Sequence, residues 1–146
     1  MDHEAAGAAA LLTAIDDAAH EFRTFGYARF LEHQSVTWRL LGGTGFADAP
    51  GISVGVSFGL NDADERDVSM HIVIRLRDGL FEVSGDAMID DPGPGRLEGG
   101  NQRDLRELPE VRTADLGELI ATLKSYTANL CSYDSILDEV RVPRTP

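Results

Sequence analysis

His71 and Asp86 make the strongest case for chemistry in this 146-residue chain. Residues 68–77 and 80–89 alternate apolar with polar side chains, and the Asp78-Gly79 dipeptide between them suits a type I′ hairpin turn. That turn pairs Arg77 with Leu80. Counting outward, it sets Arg75 opposite Glu82 and His71 opposite Asp86. A carboxylate beside an imidazole stabilises the protonated ring and orients it, which suits a general base. Ser69 and Ser84 share this face, yet no activated nucleophile accompanies the pair. A cross-strand polar pair is therefore the simpler expectation. No catalytic residue is assigned; His71 and Asp86 stand as the candidates.

Other constellations carry less. Asp16 and His20 are four residues apart on a helical pattern, with Glu21 adjacent, and could share a metal. A metal site needs three or four ligands and no third is spaced to join them, so no metal is expected. Gly42-Gly43-Thr44-Gly45 has the composition of a phosphate cradle. That mechanism requires a helix to start directly afterwards, whereas Asp48, Pro50 and a strand pattern follow, so a connecting loop is expected. Asn61–Asp67 matches a calcium loop in composition only; it lacks the central glycine and the bidentate glutamate. The lone Cys131 excludes an intramolecular disulfide and any multi-cysteine metal site. It falls on an apolar stripe and reads as a small buried hydrophobe. Hydrolase, P-loop, zincin and C-x-x-C motifs are all absent. No cofactor is expected, and the balance leans against an enzyme.

Charge is the most informative bulk property. Thirteen Lys and Arg against 25 Asp and Glu give a net charge of −12. Such a surface repels nucleic-acid phosphates and anionic membranes and attracts basic proteins. The acids gather at Asp16, Asp17 and Glu21, at Asp62, Asp64, Glu65 and Asp67, at Asp90 and Asp91, and at Asp134, Asp138 and Glu139. Solubility is the plain reading of these clusters; docking of a basic partner is the sharper one. No apolar run reaches membrane-spanning length, and the N-terminus has no basic leader region, so a cytoplasmic protein is expected. Lys124 is the only lysine, a bias that reads as a GC-rich genome.

The elements that hold these residues follow from periodicity. Ala10, Leu11, Ile15, Ala18, Ala19 and Phe22 form one helical stripe, with Gly26 as the stop. Residues 27–41 are ambiguous, Ser35–Leu41 being the better strand. Residues 51–60 alternate strictly: Ile52, Val54, Val56, Phe58 and Leu60 on one face, Ser53, Gly55, Ser57 and Gly59 on the other. Glycine inside a strand implies a bulge or the close approach of a backbone, helix or ligand. Residues 90–104 hold two prolines and four glycines and read as a long loop. Leu105–Arg112 follows as a short extended piece. Asp115 and Glu118 cap a second helix with Leu116, Leu119, Ile120, Leu123, Thr127 and Leu130 as its stripe. A further turn around Ile136, Leu137 and Val140 would make a helix pair.

These elements make one α+β domain over residues 1–146. It has an N-terminal helix, about four antiparallel strands and a C-terminal helix or helix pair on one sheet face. In size, charge and element class it is similar to small bacterial immunity proteins and secretion chaperones, with no shared motif. The expected function is a non-enzymatic module that docks or neutralises a basic partner protein. Asp62, Asp64, Glu65, Asp67, Asp90 and Asp91 are its contact residues. The alternative is a small-ligand protein or small enzyme. Its pocket would lie between sheet and helices beside residues 53–59, with His71 and Asp86 in the wall. A homodimer through an exposed hairpin edge is a third expectation.

Overall fold

The structure is a computed structural model that describes residues 2–30, 36–44, 49–60, 66–91, 101–133 and 135–136. Helix α1 (His3–Phe30) leads into five strands, β1 (Val36–Thr44), β2 (Gly51–Leu60), β3 (Asp67–Arg77), β4 (Leu80–Asp91) and β5 (Asn101–Thr113), and helix α2 (Leu116–Cys131) follows. The strands form one sheet in sequence order, every neighbouring pair antiparallel. The α+β class, the N-terminal helix, the antiparallel sheet and the C-terminal helix packed on it stand as the sequence pattern requires. The strand number rises to five, because the short piece expected at 105–112 extends to Asn101–Thr113 and pairs with β4 from end to end, with two register shifts.

The central hairpin has the register that its turn dictates. Asp78 and Gly79 both take positive φ, at 53° and 76°, as a type I′ turn requires. Arg77 pairs with Leu80, and His71 with Asp86. One face of the sheet is then apolar. Val56, Phe58, Val68, Met70, Ile72, Val83, Ala87 and Ile89 are almost fully buried there. Each fully buried Val, Ile, Phe or Met side chain contributes about 1.5–3 kcal/mol. Leu76, in the same phase, lies beside the turn and stays exposed.

Both helices cover this apolar face. α2 lies over β3–β5, α1 over β1 and β2, and the two helices pack on each other. α2 buries Leu119, Leu123, Thr127 and Leu130. Asp115 caps it by accepting from the amides of Gly117 and Glu118. The expected reciprocal bond from Glu118 goes elsewhere: its carboxylate accepts from the Thr113 hydroxyl, and Thr113 Oγ1 accepts from the Asp115 amide. Beyond the last turn, Tyr133 and Ile136 are buried in the same core. Arg106 ties β5 to this end of α2, donating to the Asn129 carbonyl and side chain at 3.1 and 3.0 Å and lying 4.1 Å over the Tyr133 ring.

Three boundaries move. α1 runs through Gly26 rather than stopping there. A glycine stop needs a left-handed φ, and among the described glycines only Gly79 has one. Gly26 is itself buried, with Phe22 and Phe25 in the turn before it, and a helical glycine costs only ~1 kcal/mol. The buried stripe of α1 is Ala14, Ala18, Phe22 and Phe25, while Ala10 is exposed. Gly42 and Gly43 belong to β1, paired with Val54 and Ser53, not to a loop. The loop expected over 90–104 loses both ends to the sheet: Asp90 pairs with Gln102 and Asp91 with Asn101. Its middle, residues 92–100, lies outside the described residues, as do Leu137 and Val140 of the expected second C-terminal helix.

Candidate acidic site on the open sheet face

Alternation sends the other half of each strand to the side away from the helices. Ser53 and Ser57 of β2 lie there, with Ser69, His71, Arg75 and Arg77 of β3 and Glu82, Ser84, Asp86 and Asp90 of β4. Gly55 sits among them for a steric reason. A Cβ at that position would lie 2.6 Å from the His71 Cα, and it would also run into the Met70 carbonyl oxygen. The glycine expected to accommodate a close neighbour does so, and the neighbour is the backbone of β3.

β5 makes this face irregular. Two register shifts break its pairing with β4, so that Pro109 and Glu110 both face Ser84, and Leu105 is extra beside Ala87 and Met88. Bulges bend a strand and re-aim its side chains. α2 supports the larger one from beneath: the Tyr126 hydroxyl donates to the Pro109 carbonyl. Burial raises the pKa of that hydroxyl. Above the bulge opens a cleft of about 310 Å³ lined by His71, Ser84, Asp86, Glu107 and Glu110.

Within the cleft, His71 Nδ1 stands 3.4 Å from Asp86 Oδ1, with the side chains 27% and 26% exposed. The distance is that of an ion pair; the geometry is not that of a hydrogen bond, and neither atom has a hydrogen-bond partner among the described residues. Burial raises the pKa of Asp86, the charges of Asp104 and Glu107 raise it further, and His71 opposes them. The arrangement can hold a proton or a cation. Among the described residues no hydroxyl or thiol is hydrogen-bonded to either atom.

Two flanks complete the face. Near the turn, Glu82 is buried between Arg77 Nε at 3.1 Å and Arg112 Nη2 at 2.9 Å. Burial alone would raise its pKa. The hydrogen bond from Arg112 and the charges of Arg112 and Arg77 outweigh burial and hold it low. At the far end Asp67 pairs directly with Asp90 across the β3–β4 ladder, and Asp90 Oδ1 has no hydrogen-bond partner among the described residues. Two carboxylates in directly opposed positions repel. Of the acids expected to contact a partner, these two are brought together. Asp91 ends β4, its side chain outside the described residues, and Asp62, Asp64 and Glu65 lie outside them altogether.

The expected pocket between sheet and helices is corrected. The Ser/Gly face of residues 53–59 points away from the helices, and the cleft that holds His71 and Asp86 lies over β3–β5, beyond β2. The 68–89 hairpin has no edge of its own: β3 and β4 are interior strands, with β2 and β5 on their outer sides. Asp104, Glu107 and Glu110 were not singled out from the sequence. The bulges break the period-2 pattern that would have placed them, and Pro109 reads as a strand breaker.

Elsewhere, Asp16, Asp17, His20 and Glu21 are exposed on α1. Asp17, His20 and Glu21 border a second cleft of about 300 Å³ shared with Lys124 of α2. Among the described residues no group of three His, Cys, Asp or Glu side chains could hold a metal ion. Burial, with the charge of Glu21, pushes the Cys131 thiol up to about 12, far from a reactive thiolate. No described helix is long and apolar enough to cross a membrane. Compared with protein-family models, curated proteins and solved structures, the chain matches none.

Proposed function

We propose that this chain is a non-enzymatic module that binds a basic protein partner on the open face of its sheet, in an immunity-protein or chaperone-like role in the cytoplasm. The observation that carries the reading is the acid-lined cleft over β3–β5. Asp86, Glu107 and Glu110 converge there, Asp104 acts on Asp86 from beside it, and the net charge is −12. A guanidinium or ammonium group entering the cleft would relieve repulsion that the free protein carries. Asp67 and Asp90 extend the same face, with Asp91, Asp62, Asp64 and Glu65 as the neighbouring acids along the chain.

The test is affinity capture from source-cell lysate with salt-graded washing, followed by association kinetics of the captured partner on two charge-reversed proteins. Screening shortens from ~8 Å at physiological salt to ~3 Å at 1 M, so a basic partner should be released as salt rises. Glu107→Lys with Glu110→Lys should slow association by about tenfold or more. Asp67→Lys with Asp90→Lys should do the same if the partner spans both acid groups. Salt-insensitive binding unchanged by both pairs would refute the reading. A small cationic ligand is the second reading, favoured by a cleft volume near the ~300 Å³ lower end of ligand sites. It is supported if no protein is captured and His71→Ala weakens an amine ligand.

A further inference from the structure

The sheet has two edges, β1 and β5, and they are built differently. β5 carries Pro109, two bulges and the charged residues Arg103, Asp104, Arg106, Glu107, Glu110 and Arg112. Those are the devices by which edge strands resist pairing with another chain. β1 has neither a proline nor a bulge. Its sequence, VTWRLLGGT, holds a single charge, Arg39, and no proline. Its pairing with β2 runs unbroken over nine positions from Val36–Leu60 to Thr44–Ile52. Among the described residues its other side meets no strand.

We infer that the free edge of β1 pairs antiparallel with β1 of a second copy, about a two-fold axis at Leu40, joining two sheets into one of ten strands. Three observations select a second copy as the occupant. The first is self-complementarity. A two-fold at Leu40 sets Trp38 opposite the other copy's Gly42, Thr37 opposite Gly43, and Val36 opposite Thr44. An aromatic residue across from a strand glycine compensates for the missing side chain. The second is charge. The same register sets Arg39 opposite Leu41, so the two Arg39 positions are diagonal and not directly opposed. The third is that β1 contains no acid in a chain of net charge −12, so two copies meet there with little local carboxylate repulsion. An isologous contact of this kind closes at two subunits. Nine paired residues make a small interface beside the ~1,200–2,000 Å² of tight complexes, so the dimer exchanges with monomer.

Sedimentation of the full chain up to about 1 mM tests the pairing, with three variants at the register's charged step. Leu41→Glu places an opposite charge across from Arg39 twice per dimer, and Leu41→Lys a like charge twice. Two such cross-strand pairs shift the dissociation constant by about 2- to 30-fold, downward for Leu41→Glu and upward for Leu41→Lys. Arg39→Glu combined with Leu41→Lys should return it towards the wild-type value. A wild-type chain that stays monomeric throughout overturns the inference, as does a dimer that responds to Leu41→Glu and Leu41→Lys alike. Should the variants lose their native circular dichroism, amide exchange of the wild type decides. Protection across residues 37–43 must rise with protein concentration, and protection that does not change rejects the β1 edge.

Discussion

Asp86 pays most visibly for its position. It is held 3.4 Å from His71 without a hydrogen bond, and burial with Asp104 and Glu107 raises its pKa. A raised carboxylate pKa means that the folded protein binds this proton more tightly than the unfolded chain does. Ionised Asp86 therefore destabilises the fold at neutral pH. The penalty fades as pH falls through the raised pKa, and is gone once the unfolded chain also protonates near ~3.9. Asp86→Asn should melt higher than wild type at neutral pH, with the margin closing in acid. Melting curves across that range check it, and a variant less stable at neutral pH would show that the His71 contact dominates. Half of this site was legible in the sequence. The Asp78-Gly79 turn counts outward to His71 and Asp86 without ambiguity. The acids that perturb Asp86 sit on a strand whose two bulges hide its alternation.

At the scale of elements, the same contrast holds. β2, β3 and β4 could be read because each repeats with period 2 and one face is buried. β1 was half legible: its start at Val36 follows from β-branched and aromatic residues, while Gly42 and Gly43 hid its end. α1 overran its expected stop because Gly26 keeps a negative φ and is buried in the helix, so it gives no left-handed cap. Gly55 shows a glycine used for space. Gly55→Ala should destabilise the protein by about 1–3 kcal/mol, since the new methyl must displace the backbone of β3. Chemical denaturation measures it; a loss below ~0.5 kcal/mol would mean that β3 moves aside freely.

For the whole molecule, net charge is the property that salt can read. A net charge of −12 repels itself in the compact state, and salt screens that repulsion. Raising salt from ~0.01 M to ~1 M shortens the screening length from 30 to 3 Å, and the melting temperature should rise along the way. A melting temperature that falls instead would show that attractive pairs such as Glu82 with Arg77 and Arg112 outweigh the general repulsion.

The order of the strands also governs how the molecule is born. Each strand pairs only with its neighbours in sequence, so no pairing has to wait for a distant strand. On a ribosome the ladder can close hairpin by hairpin as the chain emerges. The exception is the last element: α2 lies over β3–β5, where Met70, Ile72, Val83 and Ala87 are buried, and it is made after the whole sheet. Until Leu130 clears the exit tunnel, the β3–β5 part of the apolar face lacks its cover. The interval before α2 docks is the time at which the chain is most prone to aggregate.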